Sequence, residues 1–463
     1  MTGNSINFWN TYGQFDAATL RALHADLPSG ALTTAQRLAS NHPNTTAVAL
    51  TLPDDADVLS TAISNTDIII SLLPYVYHPT IIQAAITHHK PVVTTSYISP
   101  SLWALHDQAR AAGITVLNEI GLGPGIDHLY AMKTIHEVHS SGGKVRSFES
   151  WCGAVPAPEN ADNPLGYKFS WSPRGVLLAL LNEGRWYWEN KVGVRERELM
   201  RSARVVDVDG FGLGEVLQGV EMVGLPNRNA TGFRDFYGIP EARDVFRGTL
   251  RYKGFPGVVG ALVEIGYFGI EEIPVLRDDD EGISWLELTG LLVGICMEER
   301  TDEVVRDAVV RTVACFIDDE EEVERVVKGL EWIGLFDAET VVDGRGTPLD
   351  TLCALLERRM AYEPGERDMI ILQHVFGIER ADGSMEKRTS TLVEYGEPLA
   401  EESRSAIAKL VGLPCAVGVL AVLEGRISQK GMVAPWSTPE IAALLREELK
   451  GQFGIELEER VVG

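Results

Sequence analysis

Four continuous apolar runs alternate with short helix-like segments between residues 46 and 117. No other feature of the chain restricts its fold as much. The runs cover 46–52, 67–73, 91–95 and 114–117, and the segments at 54–64, 79–88 and 100–112 read as helices. Asp54 and Asp55 open the first helix, where acids suit the positive end of the dipole, and Pro79 stands near the start of the second. Strands that are apolar throughout are buried on both faces, so the pattern implies an α/β fold with a doubly wound parallel sheet. Ligands of such sheets bind beyond the carboxyl ends of the strands. Here those ends carry residues 71–75, 95–97 and 118–125, three polar loops that make a binding crevice the leading expectation.

The N-terminal part of this sheet reads as shortened. Residues 16–27 have Leu20, Leu23 and Leu27 at helical spacing, and 31–40 read as another helix. Only Pro28-Ser29-Gly30 separates them, which is too short for a strand. The 4–12 run is a weak first strand ending in one glycine, Gly13. Gly-x-Gly-x-x-Gly appears nowhere. The Gly121-Leu122-Gly123-Pro124-Gly125 loop follows a strand and precedes a helix, yet Pro124 lacks the N–H that a phosphate cradle needs. It reads as a loop touching substrate or nicotinamide, or as a tight turn.

Further along, 261–340 is mostly helical. Thr301 with Asp302 and Glu303 marks one helix start, and Val323 to Gly334 carry a second amphipathic pattern. A helix at 348–361 precedes two alternating runs around Ala381-Asp382-Gly383-Ser384, a hairpin signal. With the 144–152 run they suggest a second, largely antiparallel domain.

The 463 residues suit about three domains. A net charge of −25 without a basic run argues against nucleic-acid binding. Cysteines at 152, 296, 315, 353 and 415 lack Cys-x-x-Cys spacing. The N-terminus reads as lacking signal-peptide order, and no apolar run is expected to approach the about 20 residues of a membrane span. A cytoplasmic location and no membrane are therefore expected. In so acidic a chain, Lys168, Arg174, Arg228 and Arg251 are candidate grips for a polycarboxylate, each equally readable as an ion-pair partner. Tyr97 reads as a hydroxyl donor or a packing residue, and Cys152 as a core thiol. His128 reads as a helix-start residue, and His88-His89 as a solvent-facing helix end. His136 and His139 have no third ligand, so no metal site is expected.

Together, several motifs resemble the saccharopine reductase family, the NADP-dependent, L-glutamate-forming saccharopine dehydrogenases of fungal lysine biosynthesis. They are Ile-Ser-Leu-Leu-Pro-Tyr at 70–75, Val-Val-Thr-Thr-Ser-Tyr-Ile-Ser-Pro at 92–100, Asn-Glu-Ile-Gly-Leu at 118–122 and Asn-Pro-Leu-Gly-Tyr-Lys-Phe-Ser-Trp-Ser at 163–172. Pro-Asn-Arg at 226–228, Arg-Gly-Thr-Leu-Arg-Tyr at 247–252, Glu-Arg-Asp-Met at 366–369, Arg-Thr-Ser-Thr-Leu-Val at 388–393 and Gly-Met-Val-Ala-Pro-Trp-Ser at 431–437 extend the match.

The resemblance implies a cytoplasmic oxidoreductase that uses NADP to reduce the imine of glutamate and 2-aminoadipate 6-semialdehyde to saccharopine. It implies a dinucleotide-binding domain (1–127 plus about 415–463), a substrate domain (128–260 plus 344–414) and a helical domain (261–343). It places Ser96, Tyr97, Arg228, Thr249, Leu250 and Arg251 on substrate. It places Leu73, Thr95, Ser96, Leu122, Pro124 and Ser172 on cofactor, and makes Tyr97 and Cys152 candidates for proton handling. A homodimer stays open. Where the family carries Gly-Leu-Asp-Pro-Gly, this chain has Gly123, and the family's Cys-Arg-Thr falls on Ser29, Gly30 and Ala31. These departures leave a second reading open: a degenerate, non-catalytic paralogue, or a truncated gene model, with impaired cofactor binding.

Overall fold

A computed structural model of the chain describes residues 20–25, 36, 40, 45–50, 54–195, 204–205, 221–277, 282–400 and 403–462. Two compact units divide it: Met1–Ser140 with Ala408–Leu457, and Ser141–Ile407 with Glu458–Gly463.

The first unit holds a four-stranded parallel sheet in the order Gly431–Val433, Thr115–Leu117, Val92–Thr94, Ile69–Ser71. Val92, Val93, Val116 and Leu117 are completely buried, as continuous apolar runs require. Helices Ala56–Ser64 and His78–Thr87 connect the strands as read, while the expected helix over 100–112 forms as two, Pro100–Trp103 and His106–Ala111. After the glycine loop, helix Ile126–Ser140 packs beside Pro439–Phe453, and the Tyr130 hydroxyl donates to the Ile455 carbonyl at 3.2 Å.

Two expectations fail here. Leu20–Ala25, read as helix, is a strand lying parallel to Thr45–Leu50. Leucines at helical spacing in a short segment are a weak signal, because a helix of about twelve residues is marginal alone and a parallel partner offers the backbone an alternative set of hydrogen bonds. The two strands form a two-stranded parallel sheet of their own, beside no strand of the four-stranded sheet among the described residues. Of the 31–40 helix only Gln36 and Ser40 are described, both helical. The 4–12 strand and the 28–31 segment lie outside the described residues.

The second failure concerns apolar length. Helix Ala406–Leu423 is long and apolar enough, by length and composition, to cross a membrane, with mean hydropathy 2.2 over 18 residues. Its Gly418 comes so close to the sheet that an added Cβ would meet Leu117 and Ile120 side chains at 3.0 Å. The apolar run is packed on the sheet through a glycine contact.

The second unit is built on a nine-stranded sheet. Its main path runs Glu458–Val461, Met385–Tyr395, Asp368–Glu379, Lys144–Pro156, Asp244–Tyr252, Met222–Pro226, Arg204–Val205. Every neighbouring pair is antiparallel except Lys144–Pro156 with Asp244–Tyr252. The Gly184–Trp188 and Lys191–Arg195 hairpin attaches through Tyr187 and Val245. The Asp382-Gly383 turn forms as read, with Gly383 at φ +86° and Ser384 N–H donating to the Asp382 carboxylate. The helical stretch includes Asp302–Ala314, whose N-cap is Thr301, and Glu320–Ile333, closed by Gly334 at φ +108°.

Substituting Gly418→Leu should cost about 1–3 kcal/mol by overpacking against Leu117 and Ile120. Urea unfolding measures this, and an unchanged midpoint would show that the helix does not seat there.

Candidate active site

Each unit contributes a distinct set of polar groups. In the first, they gather at the carboxyl ends of the parallel strands. Ser71 ends one strand and Thr94 the next, and both are buried. His78, at the start of the following helix, is fully buried between them. Its Nδ1 lies 2.8 Å from the Ser71 hydroxyl and its Nε2 lies 2.8 Å from the Ser96 hydroxyl. Burial lowers its pKa to about 4, so the ring is neutral near pH 7.

Asn118 and Glu119 follow the third strand. The Asn118 amide donates to the Val116 carbonyl at 2.7 Å, while its Oδ1 is buried with no protein partner. Glu119 sits at φ +59°, a left-handed conformation that costs a non-glycine residue about 1–3 kcal/mol. Three groups hold its buried carboxylate: Ile98 N–H donates to Oε1 at 2.9 Å, Trp436 Nε1–H donates to Oε2 at 2.8 Å, and His128 Nε2 lies 2.9 Å from Oε2.

The glycine loop is closed on itself. Gly121 N–H donates to the Pro124 carbonyl at 2.9 Å, and Gly125 N–H donates to the Asp127 carboxylate at 2.6 Å. An added Cβ on Gly125 would fall 1.8 Å from the Gly121 carbonyl oxygen, so only glycine fits. Two of the three glycine amides, those of Gly121 and Gly125, are thus committed to the loop's own fold, which leaves a phosphate cradle few free donors. Leu122 and Pro124 are buried and Gly123 is exposed. Leu73 packs into an apolar cluster with Leu59, Ile63 and Ile81. Thr95, Ser96 and Tyr97 are half-buried beside the same strand end.

In the second unit, Cys152 and Thr249 stand opposite each other on the parallel pair of strands, both half-buried. Arg251 is buried, with its guanidinium 5.0 Å from the centre of the Tyr167 ring and 5.4 Å from that of Phe255. One nitrogen donates to its neighbour Leu250's carbonyl at 2.8 Å, and Nε has no partner. No carboxylate among the described residues lies within ion-pair distance. The Tyr167 and Tyr362 hydroxyls are likewise buried without partners, and burial raises both phenol pKa values, keeping them as O–H donors.

The other candidates fall elsewhere. Lys168 is ion-paired with Glu366, and Arg174 contacts Asp350 at 2.6 Å, so both take the structural reading. Ser172 is exposed and caps helix Pro173–Leu180, accepting from Gly175 N–H at 3.2 Å. Arg228 is exposed at φ +54°, its carbonyl accepting from Arg185 N–H. His128 lies in the first turn of its helix, as read, and is fully buried. Sequence reasoning missed His78, Glu119, Tyr167 and Tyr362 as polar centres. An acid directly after an apolar strand was the one available signal, for Glu119.

Two family models match the chain: the saccharopine dehydrogenase NADP binding domain over residues 27–117, and the saccharopine dehydrogenase C-terminal domain over 121–455. The saccharopine dehydrogenase (NADP(+), L-glutamate-forming) of Pyricularia oryzae is 46% identical over 448 residues, 96% of each chain. The Saccharomyces cerevisiae protein of the same name is 46% identical over 422 residues, 90% of this chain and 89% of its own. The solved apo histidine-tagged saccharopine dehydrogenase (L-Glu forming) from Saccharomyces cerevisiae superposes with a TM-score of 0.78 at 43% identity, covering 96% of this chain and 94% of that one.

Removing the Glu119 side chain (Glu119→Ala) strands two buried N–H donors and should cost about 2–4 kcal/mol, measured by urea unfolding. A loss under about 1 kcal/mol would show the contacts to be dispensable. His78 gives a pH signature. Its folded pKa, about 4, lies below the unfolded 6.5, so the unfolded chain binds the extra proton between these values. Its contribution is complete above pH 6.5 and declines by roughly 3 kcal/mol as pH falls to 4. The His78→Gln variant should show a correspondingly flatter stability profile over that window; parallel profiles would refute the assignment.

Proposed function

This chain belongs to the saccharopine dehydrogenase family, and on that premise we propose that it is an NADP-dependent oxidoreductase forming saccharopine. It reduces the imine of glutamate and 2-aminoadipate 6-semialdehyde, as in lysine biosynthesis. The observation that carries this reading is 46% identity over 96% of both this chain and the Pyricularia oryzae enzyme. Similarity that even across both units favours a working enzyme over a degenerate paralogue.

The first unit suits the cofactor. Ser71, Thr94 and Asn118 put polar groups on one sheet edge, and the unpartnered Asn118 Oδ1 is a buried acceptor awaiting a donor there. Leu73, Thr95, Ser96, Leu122 and Pro124 would line that side, and the resemblance also assigns Ser172 to the cofactor. NADPH, when bound, supplies a hydride to the imine carbon. The chain's own residues must hold the substrate's carboxylates and deliver one proton to nitrogen. Arg251 suits the first task, because a buried cation with no carboxylate beside it among the described residues gains most from a ligand carboxylate. Arg228, Thr249, Leu250, Ser96 and Tyr97 complete the substrate set, and the proton comes from Tyr97 or Cys152. The free cysteines support a cytosolic location.

The test is loss of NADPH absorbance on mixing the purified chain with glutamate and the semialdehyde; no oxidation sinks the proposal. Replacing the cation (Arg251→Met) should raise KM for glutamate about 10–100-fold, the worth of one charge-assisted contact. An unchanged KM would remove Arg251 from the substrate set. Giving the loop the family's acid (Gly123→Asp) should raise kcat/KM by about tenfold. If the rate stays where it was, the glycine is not a defect.

A further inference from the structure

We propose that His78 is a positioning residue that orients the Ser96 hydroxyl for ligand binding at the carboxyl edge of the parallel sheet. The proposal rests on the functional reading above but concerns a residue which that reading leaves unused.

The geometry is specific. Ser71 and Thr94 are the last residues of adjacent strands, and Ser96 lies in the loop beyond the second, after Thr95. The imidazole bridges them, with one nitrogen on Ser71 and the other on Ser96, each at 2.8 Å. The Thr94 hydroxyl lies 3.4 Å from Nε2 and accepts from Ser96 N–H at 3.2 Å. The Ser96 carbonyl in turn accepts from Glu119 N–H at 3.1 Å. Ser96 is therefore held through its hydroxyl, its amide and its carbonyl. Only the hydroxyl depends on His78.

Full burial obliges both ring nitrogens of His78 to find partners, and the partners it finds link two strand ends. Here each ring nitrogen meets a serine, so donor and acceptor roles are coupled through the ring: whichever nitrogen carries the proton donates, and the other accepts. That fixes the direction of the Ser96 hydroxyl, while its half-exposed position leaves its remaining hydrogen-bonding capacity for a ligand. A preset hydroxyl at a strand's carboxyl end lowers the ordering cost of whatever binds there.

The test is a double-mutant cycle with His78→Leu, Ser96→Ala and the combined variant. NADPH dissociation constants by fluorescence and kcat/KM with glutamate and the semialdehyde are measured, each normalised to the folded fraction. If His78 acts through Ser96, His78→Leu should weaken at least one of these quantities by about 10–100-fold in the wild-type background. It should change the same quantity by less than about threefold when Ser96 is already alanine. The His78→Gln variant, which keeps polar atoms near the serines, should recover part of the loss. Equal cost of His78→Leu in both backgrounds, or a loss that vanishes on normalisation, overturns the assignment. Should His78→Leu not fold, the cycle is run with His78→Gln under the same criteria. A wild type that binds NADPH but turns over no substrate refutes the functional reading instead, and the binding cycle then decides the positioning role alone.

Discussion

The carboxylate of Glu119 is buried where three stretches of chain meet, and the edge of the parallel sheet depends on it. Ile98 N–H and Trp436 Nε1–H donate to it, and His128 Nε2 lies beside it. A buried carboxylate without such partners would cost several kcal/mol. With them, it fixes the loop after the second strand, the C-terminal 436 segment and the first turn of Ile126–Ser140 in one arrangement. The left-handed backbone at Glu119 is tolerable only because the side chain is held at both oxygens. Asp127 extends the arrangement by capturing the Gly125 amide, which closes the glycine loop.

The second unit presents the opposite situation. Its buried Arg251 has aromatic faces on two sides and no anion among the described residues, in a chain that carries 66 acidic residues. Lys168 and Arg174 each have a carboxylate, so the lack of one at Arg251 is local. A guanidinium lying over Tyr167 and Phe255 is partly compensated by the rings, yet its unpartnered Nε leaves hydrogen-bonding capacity unused. A carboxylate ligand would meet that need, as the reduction of an imine carrying several carboxylates requires.

The sequence was informative where local chemistry and tertiary environment agree. The strands at 92–94 and 115–117 were legible because they are buried throughout, which leaves an unbroken apolar run, and 69–71 carries the same pattern while half-buried. Thr301, Gly334 and the Asp382-Gly383 turn were legible because caps and turns act within a few residues. Leu20–Ala25 was misread because its pairing partner is about 25 residues away, beyond any local pattern. The apolar helix Ala406–Leu423 was overlooked because Gly and Pro interrupt its hydrophobic residues, and Gly418 became meaningful only through its contact with Leu117 and Ile120.

By itself, the sequence determined the alternating α/β layout, the antiparallel second sheet, the family and the identity of residues such as Arg251, Ser96 and Tyr97. Each follows from residue order, through hydrophobic period, turn chemistry or motif. The tertiary structure alone decided which cations lack an anion among the described residues, that Gly121 and Gly125 spend their amides on the loop itself, and that His78 and Glu119 are buried at the sheet edge. Those outcomes depend on distances between residues far apart in the chain, as with Glu119 and Trp436, and on burial. Burial changes the energy of a polar group by kcal/mol without changing a letter of the sequence.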